Sequence, residues 1–361
     1  GAWTMPTGTV VDPIFFRGYN SAIGDLDDQN ALSNTTNFPD LTITGLFTLG
    51  VGCFFQNLDI TGALSGYLIG IGAGSADQNG AINCRIVNTQ DNAAAALIQG
   101  DDNLVLVRCD LACTGATNHG TLVDSDVNTK ILYSRFKMTA TADCINAQSP
   151  LVAIGCTFIG NGNAASIGID IDAQAGSSFP VIDHCTFYNL GTALRTSNAA
   201  AVGCYVFANN HVTDCAKWID NLYAATDEHV FFELNNRTRD NTTPRTGVFQ
   251  GVLAGEVTTD TGGAETDYVN AGADDFNLIS GAPGINAATP QGDIGAWQRI
   301  PDFPAITNVW RTDTVDGVTG TMSGLDVPKS GGTGSTLLAA DIATGITLDP
   351  AGDNVAGTAS G

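Results

Sequence analysis

A pattern of the form apolar, any, small, any, apolar recurs about every 25 residues through the middle of the chain, a period in the range of stacked-repeat folds. Its central position falls at Leu58, Cys84, Cys109, Ser134, Cys156, Cys185, Asn210 and Asn236, with nearly even steps between them. Within the copies, as in Cys156-Thr157-Phe158 and Cys185-Thr186-Phe187, neighbours alternate between inward and outward positions, which is the period of a strand. A second apolar ladder passes through Leu97, Leu122, Ile145, Ile169, Leu194 and Ile219, its register open by one residue. Each repeat therefore holds at least two short strands, separated by turns such as Gly160-Asn161-Gly162-Asn163. One such unit cannot bury its own apolar face. Stacking resolves this, because each strand pairs with its equivalent about 4.8 Å away in the next coil and the inward residues merge into one core. The predicted fold is all-β, a right-handed parallel β-helix. A β-sandwich gives no reason for a small inward residue at this spacing, and a leucine-rich horseshoe needs a helical half-repeat that is absent.

The chain of 361 residues accommodates a β-helix over 1–299, with an incomplete N-terminal coil over 1–40 and a closing segment over 270–299, followed by a Gly/Thr/Ala-rich arm over 300–361. Fourteen Lys and Arg against 37 Asp and Glu give a formal charge of -23, which opposes binding to a phosphate backbone. No apolar run approaches the roughly 20 residues of a membrane span, so neither nucleic acid nor membrane insertion is expected. Four of the nine cysteines share the inward column, where a thiol fills a crowded stack as a small hydrophobe, and free buried thiols are expected there. The other five form no CxxC pair, and the four histidines match no ligand spacing, so no metal and no cofactor are expected. His211 falls at the outward position after the column and is read as a surface residue.

From about residue 10 to residue 299 the chain resembles the pectate-lyase-like superfamily of parallel β-helices. The likeness is carried by Pro13-Ile14-Phe15-Phe16-Arg17-Gly18-Tyr19-Asn20, by the Cys-Thr-Phe repeats, and by the stretch from Asp275-Phe276-Asn277-Leu278 to Gly292-Asp293-Ile294-Gly295-Ala296-Trp297. The resemblance implies the fold; the same scaffold serves lyases, hydrolases, adhesins, phage tailspikes and inert structural proteins. Pectate lyases carry an Asp cluster beside an Arg or Lys base, whereas this chain has four Lys and no Arg evidently beside carboxylates. Of the polygalacturonase segments only Asp101-Asp102 is present, so no catalytic residue is assigned. In the arm, Val327-Pro328-Lys329-Ser330-Gly331-Gly332-Thr333-Gly334 is similar to segments of bacteriophage tail-fibre and structural proteins.

Outward positions after the column present Asp59, Arg85, Asp110 and Arg135, a ladder of alternating sign that supports register. Asp124, Asp126, Asp170 and Asp172 form a candidate glycan or cation patch: each pair has i, i+2 spacing, and two coils separate the pairs by roughly 10 Å. These features lead to an expected non-enzymatic structural protein of a virion, a phage tail, tail fibre or head decoration, whose arm joins neighbouring subunits. A homo-oligomer is expected, as a trimer because three rods can share one axis, with a cell-surface glycan as a further candidate partner. The alternatives are a secreted polysaccharide lyase or glycoside hydrolase, and a cell-surface adhesin or extracellular-matrix protein, which would place the chain outside a virion.

Overall fold

The computed structural model describes residues 13–296, apart from stretches between strands of which the longest include 72–77, 173–178, 198–203, 223–229, 247–252 and 261–266, together with the short strands Thr314–Val315 and Val318–Thr319. Asp101, Asp102, His119, His229 and nearly all of the arm lie outside the described residues. The chain divides into two units, Gly1–Gln298 and Arg299–Gly361.

The first unit is a parallel β-helix. Successive strands take turns among three sheets, A beginning with Ile14–Arg17, B with Asp40–Ile43 and C with Phe47–Leu49, so that each strand pairs with the third one along the chain; among the described residues sheets A and B have ten strands each and sheet C has nine. A coil therefore has three strands: the Cys column lies at the corner before the sheet B strand, the second ladder lies in sheet C, and the sheet A strand is the one that neither pattern marked by itself. In sheet C the paired column is Ile98, Val123, Ile145, Ile169, Leu194 and Ile219. The sequence ladder was one residue early in its first two rungs: Leu97 and Leu122 precede the strands and are buried at the corner.

The recurring pattern marks the corner between sheets A and B. From Gln56 to Arg237 every A-to-B connection is two residues long, whereas the B-to-C and C-to-A connections vary. The first corner residue has positive φ in every coil: Asn57, Asn83, Arg108, Tyr133, Gly155, His184, Asn209 and Asn235. One left-handed residue reverses the local twist and turns the chain sharply, and Asn adopts that conformation more readily than most side chains. The second corner residue is the inward column, from Leu58 to Asn236.

That column is more than apolar filling. The thiols of Cys84, Cys109, Cys156 and Cys185 donate to the carbonyls of Ile82, Val107, Ile154 and Asp183, each two residues earlier. Ser134 Oγ donates to the Leu132 carbonyl at 3.0 Å in the same way. Asn210 Nδ2 reaches the Ile182 carbonyl of the preceding coil at 3.0 Å and Asn236 Oδ1 at the same distance. The carbonyls of Ile82, Val107, Leu132, Ile154 and Asp183 each also accept a backbone N–H from the corner of the preceding coil, so the thiol or hydroxyl is a second donor to a carbonyl already engaged in the stack. Cys, Ser and Asn, which hold the column from Cys84 onward, are all small side chains that can donate there. Leu58, without a donor, is only partly buried and packs against the core edge.

Inside, Phe136, Phe158 and Phe187 stack in successive coils with centroids 5.0 and 4.8 Å apart. All nine cysteines are free thiols. Burial pushes the Cys109, Cys113 and Cys215 thiols up to about 12, and those of Cys84 and Cys185 are also well raised.

The closing segment lies across the outside of sheet B. Tyr268–Asn270 and Asp275–Leu278 form an antiparallel pair. Tyr268 and Phe276 pack edge-on against Tyr188, within a buried cluster that includes Ile159. Further on, Gly295 N–H donates to the Asn209 carbonyl and Ala296 N–H to Thr186 Oγ1, both at 2.9 Å. Gly295 has φ of +102°, and a Cβ there would stand 2.8 Å from Thr186 Oγ1, so this docking turn requires glycine.

Candidate functional site

The outward ladder of sheet B forms as two pairs. Asp59 and Arg85 are in register, and Arg85 Nη1 donates to both carboxylate oxygens at 2.8 and 3.0 Å. Arg135 grips Asp110 with Nε and Nη2, each at 2.8 Å, in a bidentate fork.

His211 continues the same outward column but is not a surface residue. The closing segment buries it completely. Asp267, on that segment, accepts a hydrogen bond from Arg237 Nε at 2.7 Å and lies 3.3 Å from His211 Nε2, while Tyr268 lies against the imidazole with centroids 4.8 Å apart. Burial opposes the Asp267 charge, but the His211 and Arg237 side chains outweigh it and hold the carboxyl well below the ordinary range. These three groups form a clasp between segment and coil.

The richest constellation is on the outer face of sheet C. The column Gln99, Asp124, Asn146, Asp170, Arg195 and Asp220 runs in register over six strands. Asp124 and Asp170 therefore do share a face two strands apart, at about 10 Å by strand spacing, with Asn146 between them. Asp126 and Asp172 each come just after the strand of Asp124 or Asp170, and their backbone N–H groups donate to the Gly100 and Ala147 carbonyls.

Asp124 Oδ2 accepts from the Tyr67 hydroxyl at 2.8 Å. Asp170 is almost fully buried and is hydrogen-bonded to Arg195, whose Nη2 also lies 3.5 Å from Asp143 Oδ2. Lys217 donates to Asp220 at 2.6 Å. Burial pushes the Asp143 carboxyl up to about 6 against the pull of Arg195, with the Asp170 charge assisting the rise. Burial works against the Arg195 charge, yet its hydrogen bond to Asp170 and the charges of Asp170, Asp143 and Asp220 raise its pKa.

An Arg thus does stand beside a carboxylate cluster, contrary to the sequence expectation. Tyr67, Asp143, Arg195, Lys217 and Asp220 were missed, although one signal was available: Asn146, Asp170, Arg195 and Asp220 each follow a rung of the second apolar ladder. Chemically, the cluster offers a carboxyl that keeps its proton up to about pH 6 beside an ion pair. Among the described residues no group of three or more His, Cys, Asp or Glu is arranged to hold a metal ion, and no helix is long and apolar enough to cross a membrane. In comparisons with known proteins, no family model and no curated protein matches this chain.

Proposed function

We propose that the chain is a non-enzymatic structural protein of a virion, a rigid β-helix displayed on the particle surface and joined to neighbours through residues 300–361. The observation that carries this reading is that the outward charges are engaged by the scaffold itself. Asp59, Asp110, Asp170 and Asp220 are each held by an Arg or Lys of their own sheet, and Asp124 by Tyr67. The pairs Asp59–Arg85, Asp110–Arg135 and Asp170–Arg195 join neighbouring coils and support their register, and together these contacts leave little charge for a reacting substrate. The virion setting is supported by the likeness of Val327–Gly334 to phage structural proteins, and the β-helix by the likeness to the pectate-lyase-like superfamily. Electron microscopy of native particles decorated with an antibody to the purified chain tests the reading. Label on a tail, fibre or head supports it; label on cell walls or free secreted protein overturns it.

One observation favours a second reading, a glycoside hydrolase: Asp143 combines a raised carboxyl with the neighbouring Asp170–Arg195 pair. A proton donor beside an ionised carboxylate is the pairing that glycoside cleavage uses. Release of reducing ends from a glycan panel by the wild-type chain, abolished in both Asp143→Asn and Asp170→Asn, would put this reading first.

A further inference from the structure

The three outer faces differ in chemistry. Those of sheets B and C carry the charged columns described above, whereas the outer face of sheet A is apolar. One of its columns runs from Phe15 through Val105, Val152, Val181 and Val206 to Phe232, with Phe54, Gly80 and Lys130 in the intervening strands. A second, two residues along each strand, includes Ile82, Val107, Leu132 and Ile154. Their inward neighbours Leu104, Leu106, Ile131, Leu151 and Ala153 are fully buried, so the alternation places both columns outside. All of these valines remain partly exposed, and Phe15, Phe232 and Leu234 are 45%, 37% and 43% exposed. A solvated strand face normally alternates to polar residues; here it alternates to Val, Ile, Leu and Phe.

From this face we infer that the protein self-associates, with sheet A of one copy packed on sheet A of a second copy about a two-fold axis. Nine strands at about 4.8 Å and four residues at about 3.3 Å give a face of about 40 by 13 Å. That is on the order of 500 Å² per copy and about 1,000 Å² for the pair, the lower bound for a specific interface and the range of weaker associations. Two sheets meet face to face about 10 Å apart, and a flat self-complementary patch is what an isologous contact requires. A second copy also suits the charge. The chain carries -23, but the two columns contain only Arg17, Lys130 and Asp183 as charged residues. Lys130 lies one strand before Val152, and Asp183 one strand after Ile154. A two-fold axis at the Val152–Ile154 strand, with the stacks antiparallel, sets Lys130 of each copy against the strand bearing Asp183 of the other. The trimer expected from sequence would instead join two different patches on each copy.

Sedimentation equilibrium of the full-length chain, with photocrosslinking, tests the inference. The wild type is expected at twice the mass of the 37.2 kDa monomer. Val152→Lys places two like charges at the axis and should weaken association by on the order of tenfold or more while leaving the circular dichroism unchanged, since the side chain faces outward. Lys130→Asp should also weaken it. A photoreactive residue in place of Val152 in the purified chain should crosslink to sheet A of a second copy. Three results overturn the inference: a monomer whose crosslinks map to residues 299–361 of the same chain, a trimer unaffected by Val152→Lys, and a monomer that gives no crosslink.

Discussion

Replacing Asp267 with Asn should release the closing segment while the coils stay intact. The carboxylate pairs with Arg237, which is 1% exposed. Asn preserves the shape but removes the charge, so the guanidinium stays buried without this counter-ion; breaking a buried pair in this way costs about 3–5 kcal/mol. At about 1.4 kcal/mol per factor of ten, the loss corresponds to local opening that is about two to three and a half orders of magnitude more frequent. Native-state hydrogen exchange measures it: amides of 268–278 should exchange about 100- to 4,000-fold faster, while those of 151–159 and 167–171 keep their protection. The wild type should show the same behaviour in acid. Because the folded carboxyl is held below its unfolded value of about 3.9, its contribution is complete above that pH and is lost as pH falls through the depressed folded value. Combining Asp267→Leu with Arg237→Met removes both charges and should recover much of the protection. Equal exchange in wild type and Asp267→Asn, or a uniform loss across all coils, would refute the clasp.

Further outcomes follow from the core and from sheet C. Phe158→Ala opens the middle of a three-ring stack and should cost about 3–5 kcal/mol in urea denaturation, against under about 1 kcal/mol for a surface change such as Thr44→Ala. Cys156→Ser retains a donor for the Ile154 carbonyl and should be more stable than Cys156→Val by about 1 kcal/mol; the reverse order would show that the column needs only bulk. The column thiols should resist alkylating reagent in the native protein and react fully in denaturant, and mass spectrometry that finds a Cys84–Cys109 bridge in most molecules would contradict this. For Asp143 the folded carboxyl is raised to about 6, so its favourable contribution is present below about pH 4 and lost as pH rises through 6. Asp143→Asn should therefore gain up to about 3 kcal/mol relative to wild type between about pH 4 and pH 8, and parallel stability profiles would discount the shift.

The architecture was legible because one short connection never changes length. The A-to-B corner repeats with its two residues, so the Cys, Ser and Asn column stood out in the sequence, as did the Asp59–Arg85 and Asp110–Arg135 pairs one residue beyond it. Sheet C was harder to place. Its strands follow connections of unequal length, and Leu97 and Leu122, buried just before their strands, imitated rungs. That one-residue ambiguity concealed the Asp170–Arg195 pair, since the outward residue is known only once the inward one is fixed. His211 was misread for another reason: its covering comes from Asp267 and Tyr268, two coils further along the chain, and no periodicity reports a segment folding back across the coils. The apolar exterior of sheet A was invisible until each valine could be assigned a side.

The two-residue corner has an evolutionary consequence. Between Ser134 and Cys156 the coil is three residues shorter than most, and between Cys156 and Cys185 it is four longer, yet both corners and both flanking strand registers are kept. The lengthening falls between Ile171 and Val181, on the sheet C to sheet A side, where nine residues replace the three that join Ala147 to Leu151. Length variation is thus admitted in the B-to-C and C-to-A connections and refused at the A-to-B corner. Segments inserted or exchanged in those connections would leave the stack undisturbed, so their sequence can diversify quickly while the scaffold remains the same.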